Sequence, residues 1–199
     1  MENDRPAFSA QSVQTHFVIL AVTWWIAFPL AIIGAFLPEP ASLLLSLMVL
    51  PVLVVTTVFW CILLYRQWSL LQGHGARVTP GKAVGFGFIP FYCFYWWFVA
   101  YAGLATDTNS HLKKVGITGK GMSFGLAVTD CVVSVLACTI GLVPQIGAVL
   151  TVPYMIIGFI LAVQQRDCVL AILKYRTEQL QPAPPPYSSP AAGSESGEA

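Results

Sequence analysis

The chain alternates long apolar runs with short polar clusters. A membrane span needs about twenty apolar residues. Phe17 to Leu37 supplies one such run, with Pro29 inside it, and Ser42 to Tyr65 supplies a second, with Pro51 inside. Only PEPA, bearing Glu39, lies between them, which predicts a helical hairpin with a tight turn (17–37 and 42–65). From Met122 to Val163 the chain is apolar for two spans' worth, interrupted by VPQIG at 143–147. That predicts a second hairpin, with helices over 122–142 and 146–163. Prolines inside the runs would each cost ~3 kcal/mol in an exposed soluble helix, but neighbouring helices and water satisfy the freed carbonyls in a bundle. Kinks are expected there.

The central run, 83–105, is ambiguous. Ten of its twenty-three uncharged residues are Phe, Tyr or Trp, and Pro90 interrupts it. If it crosses the bilayer, Arg5, Arg66, Arg77 and Lys82 lie on one side and Lys113, Lys114, Lys120, Arg166, Lys174 and Arg176 on the other. If it returns to the side it came from, all ten basic residues share one face and the two hairpin turns carry none. The second arrangement is the positive-inside asymmetry. Pro90 offers a means of turning back, since it removes a backbone donor and obstructs the preceding turn. The stretch from Lys82 to Pro90 rises on the order of 12 Å, less than half of the ~30 Å hydrocarbon core. The expected fold is therefore an all-α membrane protein with four transmembrane helices in two hairpins. A Pro-broken aromatic re-entrant or interfacial element lies between them, its break at Pro90, Phe91, Tyr92 and Cys93. Five spans, with an ordinary helix kinked at Pro90, is the alternative. Residues 1–16 read as a cytoplasmic N-terminal segment, 17–163 as the helical membrane domain, 164–180 as a juxtamembrane helix and 181–199 as a disordered tail rich in Pro, Ser and Ala. Both termini are expected on the cytoplasmic side of the cell membrane.

Composition agrees. Of 199 residues, 56% are hydrophobic and only 10% charged, too few charges to cover a soluble globule of this size. A net charge of +1 without a basic motif argues against nucleic-acid binding. The N-terminus lacks the basic region of a secretory signal, so the first run reads as a retained helix, with cleavage near Ala41 as the alternative.

The segment KAVGFGFIPF, then FYWWF, Gly103-Leu104-Ala105 and Asn109, resembles a segment of uncharacterised bacterial multi-pass membrane proteins. There Phe-Ile-Pro-Phe is followed by a polar position and Tyr-Trp. The match spans Pro80 to Asn109 and departs at Cys93, where Asn is expected. The resemblance implies a helical membrane protein and brings no activity with it.

Asp130 is the only acid or base well inside an apolar run. At a helix centre an aspartate costs about 2.5–3.5 kcal/mol on insertion scales, so it should face protein or a wet cavity. Ser123, Ala127, Asp130, Ser134, Ala137 and Gly141 form one stripe of small residues that admits a close neighbour. Asp130 and the break at Pro90 fall at matching depths, so the free N–H groups of Phe91, Tyr92 and Cys93 are candidate donors to its carboxylate. Asp130, Thr129 and Ser134 are the candidate intramembrane polar site, read either as a proton or cation site beside a broken helix or as a buried acid joining two elements.

His16, His74 and His111 lie far apart outside the spans and read as solvated loop residues. Cys61, Cys93, Cys131, Cys138 and Cys168 have no zinc spacing and read as small core residues, with lipidation of Cys168 as an alternative. No metal site and no cofactor are expected. Residues 164–180 alternate apolar and charged positions at helical spacing, either as a helix running out of the membrane or as an amphipathic helix on its surface. Pro184, Pro185, Pro186 and Tyr187 form a candidate WW-type partner motif, or simply part of a linker.

The chain carries no nucleophile-and-base set, no H-E-x-x-H and no second intramembrane carboxylate, so it is read as not an enzyme. A scaffold or accessory protein is the leading expectation. It would meet anionic lipid headgroups through its basic face and protein partners through 181–199, with a homo-oligomer also open. The alternative is a small transporter or channel using Asp130.

Overall fold

The computed structural model describes residues 8–140 and 144–180. Every regular element among them is a helix. Helix α1 (Ala10–Gly34) begins where the Ser9 hydroxyl accepts the Ser12 N–H at 3.2 Å. Helix α2 (Ala41–Leu71) packs antiparallel against it, and α7 (Pro144–Leu180) is the longest. These three are long and apolar enough to cross a membrane, and α6 (Phe124–Ile140) is apolar but shorter. At helical rise, the 25, 31 and 37 residues of α1, α2 and α7 reach about 37, 46 and 55 Å, all exceeding the ~30 Å core. The prolines at 29, 51 and 153 lie inside them without ending them.

Helix α1 buries Val13, Phe17, Leu20, Trp24 and Ala27, a stripe at alternating spacings of four and three, while Val18, Val22, Trp25 and Ile26 on the other faces are exposed. The same holds for the first half of α2, where Leu43, Leu44, Leu47 and Met48 face outward. Helices apolar on every face belong in an apolar surrounding. Helix α7 continues unbroken through 164–180, because Gln165, Cys168, Val169, Ile172 and Leu173 keep one buried face. This stretch is thus an extension of the last apolar helix rather than a separate surface helix. The α6–α7 turn at 141–143, Gly141 of the small-residue stripe and the Pro184–Tyr187 motif lie outside the described residues.

The central segment folds back on itself. Helix α3 (Pro80–Gly85) tightens into a 3-10 turn (Phe86–Phe88) and stops before Pro90. Helix α4 (Tyr92–Trp97), a π-turn (Phe98–Ala102) and α5 (Gly103–Lys114) then run on as one helical stretch. Between the two arms the Tyr92 N–H bonds the Pro90 carbonyl at 2.7 Å, with Phe91 at φ 61° and ψ −40°. This is a γ-turn, a conformation that costs a non-glycine residue on the order of 1–3 kcal/mol. Polar contacts tie the arms together: the Trp96 Nε1–H donates to the Ala83 carbonyl at 3.1 Å, and at the base Arg77 Nη2 meets Asp107 Oδ1 at 2.6 Å.

The base of this hairpin joins the ends of the long helices in one core. Gln67 Nε2 donates to Thr108 Oγ1 at 3.0 Å, both fully buried. The Asn109 amide bonds the Met122 N–H and carbonyl at 2.9 and 2.8 Å. Ser123 N–H reaches Gln164 Oε1 at 2.9 Å, and Lys120 pairs with Asp167 at 3.1 Å. Trp68, Leu71, Leu104, Leu112, Leu161 and Ile172 fill the space between.

His111 corrects its expected place as a solvated loop residue. It sits on α5, only 5% exposed, with its ring 4.5 Å from that of His74. Burial first, and then the nearby His74, Arg176 and Lys114, lower its pKa below the ordinary value. The folded protein thus holds His111 neutral where the unfolded chain, titrating near pH 6.5, takes up a proton, so stability rises with pH through that range. Unfolding followed by denaturant titration should show stability complete above about pH 6.5 and falling below it. His111→Gln should flatten that fall, and an unchanged pH profile in the variant would assign the acid sensitivity elsewhere.

Candidate functional site

Helix α6 presents Ala127, Asp130 and Ser134 on one side, following the three-and-four spacing of the small-residue stripe. The close approach that this allows occurs at Gly158 of α7. A Cβ at that position would lie 3.0 Å from Cζ2 and Cη2 of Trp24 and 3.3 Å from Asp130 Oδ1. Helices α1, α6 and α7 therefore converge where one of them has no side chain. The Trp24 Nε1–H fixes the junction by donating to the Met155 carbonyl at 3.1 Å.

Beside this junction the helices part around a chamber of about 350 Å³. Its walls are rings. Trp24 and Trp60 stack at 5.1 Å with 19° between their planes; Phe28 lies 4.5 Å and Tyr154 5.9 Å from Trp24; Tyr101 lies 5.9 Å from Trp60. The Trp60 Nε1–H donates to Tyr101 Oη. Tyr101 reaches the chamber from the π-turn, a helical irregularity common at functional sites. The folded-back hairpin closes one wall with Gly87 and Phe88 from its first arm and Trp97 from its second.

Asp130 is the only acid in this lining, and among the described residues no Lys, Arg or His joins it. The residue is 5% exposed, and its Oδ1 is buried without a hydrogen-bond partner. An unpaired carboxylate in an apolar wall is costly.

The candidate residues divide. Asp130 and Ser134 share the chamber, whereas Thr129 is exposed and its hydroxyl donates to the Gly125 carbonyl at 2.9 Å. One residue along a helix turns the side chain by about 100°, which takes Thr129 off the inner face. The expected donors to Asp130 are engaged elsewhere: Tyr92 N–H bonds Pro90 and Cys93 N–H bonds the Ile89 carbonyl at 2.9 Å. Phe91 projects outward, 86% exposed, so the break at Pro90 shapes the hairpin without touching the carboxylate. All five cysteines are free; Cys131 and Cys168 are buried and Cys138 is exposed. No three His, Cys, Asp or Glu side chains among the described residues stand together as metal ligands.

Sequence reasoning missed the ring walls. A signal was present: Trp24 and Tyr154 fall in the middle of apolar runs, whereas Trp and Tyr in spans concentrate at the interfaces. A polar-tipped ring at such depth calls for a partner.

No protein-family model, curated protein or solved structure matches the chain. Its function is accordingly read from the chamber.

Gly158→Ala places a methyl against the Trp24 ring at 3.0 Å. The ring must shift, and a loss of about 1–3 kcal/mol is expected, as for overpacked cores. Gly125→Ala on α6 meets nothing within 4 Å and should not destabilise. Thermal unfolding of the two variants in detergent, with tryptophan emission as the signal, compares them directly.

Proposed function

We propose that this chain is a four-span membrane protein in which residues 83–105 enter the bilayer and return to the same face, and that its membrane domain binds and passes a small solute at Asp130. The Arg77–Asp107 pair at 2.6 Å supports the topology, because a crossing segment would hold its two ends ~30 Å apart. The start of α1 and the end of α7 lie at that same end: Arg66 Nη2 donates to Ser12 Oγ at 2.9 Å and Arg176 Nη2 to the Leu70 carbonyl at 2.7 Å. The basic residues then meet the cytoplasm and its anionic headgroups, with Glu39 and Gln145 at the far turns.

The observation that carries the solute reading is the partnerless Asp130 carboxylate on an open chamber beside a broken helix. Transporters place their sites beside such breaks. A scaffold role asks only for a stable bundle, and it leaves a costly acid and an unfilled space without purpose.

Two measurements on the full chain test this. Reporter insertions at Ser110 and after residue 180 should report the same side of the membrane, opposite to one at Glu39. A Ser110 reporter on the Glu39 side would overturn the topology. Dicyclohexylcarbodiimide, which enters from lipid and adds covalently to carboxyl groups, should modify Asp130 in the membrane-embedded protein, with Asp130→Asn abolishing that adduct. Absence of an adduct at Asp130 would make it a sealed structural acid and overturn the solute reading.

A further inference from the structure

The charge, walls and opening of the chamber together specify a ligand, on the premise that Asp130 serves a solute. The lining holds one carboxylate and, among its described residues, no basic side chain, so a bound monovalent cation would neutralise it. Divalent cations are poorly served. Calcium takes six to eight oxygen ligands and magnesium requires an octahedral set. Here the only acid is Asp130, and the other side-chain oxygens of the lining are the neutral hydroxyls of Thr56, Thr57, Tyr101, Ser134 and Tyr154, which bring no second charge for a divalent ion. What the chamber offers instead is aromatic rings. Trp24, Trp60, Tyr101 and Tyr154 surround the space, and aromatic faces attract ammonium groups most strongly where water is excluded.

The opening points to the ligand's other end. A groove of about 980 Å³ runs along the outward face of α2 and shares Leu53, Thr57, Cys61, Val84 and Phe88 with the chamber. It lies between α2 and the first arm of the folded-back hairpin, and most of its wall is aliphatic or aromatic. Its basic member, Arg66, is held by Ser12 and His16 and sits 5.0 Å from the Phe8 ring centroid. A solute with apolar substituents would reach Asp130 sideways, from the lipid, through the shared residues.

We propose that the chamber binds a monovalent organic ammonium ion bearing apolar groups, its charge on Asp130 and its alkyl groups against Trp24 and Trp60, admitted from the bilayer between α2 and the hairpin.

The test uses the full chain in lipid nanodiscs with two probes of one shape: benzyltrimethylammonium and its uncharged isostere neopentylbenzene. Tryptophan emission and calorimetry are read against empty nanodiscs. The cation should bind saturably at one site per chain, at least tenfold tighter than the isostere, and should protect Asp130 from dicyclohexylcarbodiimide. Asp130→Asn should weaken it tenfold or more and Trp60→Leu severalfold, whereas Trp25→Leu, on an exposed ring outside the chamber, should leave it unchanged. Equal binding of the two probes by the unaltered chain would overturn the proposal without relying on any variant. So would absence of cation binding while carbodiimide still modifies Asp130, a result that leaves the solute reading standing. Failure of the modification itself would remove both.

Discussion

Four tryptophan N–H groups reach from one element to another in this bundle: Trp24 to the Met155 carbonyl, Trp60 to Tyr101 Oη, Trp68 to the Ala100 carbonyl and Trp96 to the Ala83 carbonyl. The arrangement depends on them, because hydrophobicity cannot choose among the faces of helices that are apolar all round. In apolar surroundings a helix gains little by turning one leucine face inward rather than another. A buried indole without an acceptor is penalised, so the rotations that supply acceptors are selected. Each such bond is worth about 1 kcal/mol or less, and its influence lies in orientation more than in total stability.

The same bonds shape the folded-back segment. Its reversal at Phe91 is strained, and the strain is sustained by Trp96 across the arms and by Arg77 with Asp107 at the base. Trp68 holds the Ala100 carbonyl inside the π-turn, and that turn aims Tyr101 at Trp60. One wall of the chamber is therefore a product of the break at Pro90, although Pro90 itself is exposed. The opposite wall depends on Gly158, whose missing side chain admits the Trp24 ring beside Asp130.

A single acid among rings is an unusual thing to keep in an apolar core, and none of the described residues partners Asp130 Oδ1. At the base of the bundle several polar side chains do find partners. There Gln67 finds Thr108, Asn109 closes on Met122, and Lys120 meets Asp167. The pairing there is incomplete, since Gln67 Oε1 and both amide atoms of Gln165 are buried without a partner, as Asp130 Oδ1 is; of these three side chains, Asp130 is the one that lines the chamber.

Much of this was legible in the residues. The apolar run lengths specify long helices, Pro90 marks the reversal, and the spacing of Ala127, Asp130 and Ser134 places the acid on the inward side of α6, all through local backbone geometry and the energetic demand for apolar surroundings. The sequence alone also put Thr129 with Asp130, left 164–180 undecided and read His111 as solvated. Those points turned on contacts between residues distant in the chain. Helix α7 continues because its buried face packs against α1, α2 and α6, and His111 is covered because α5 folds back onto the end of α2. The tertiary structure alone decided which rings surround Asp130, since the rotation of a uniformly apolar helix is set by hydrogen-bond partners and close-packing sites on other helices, and its own periodicity carries no record of them.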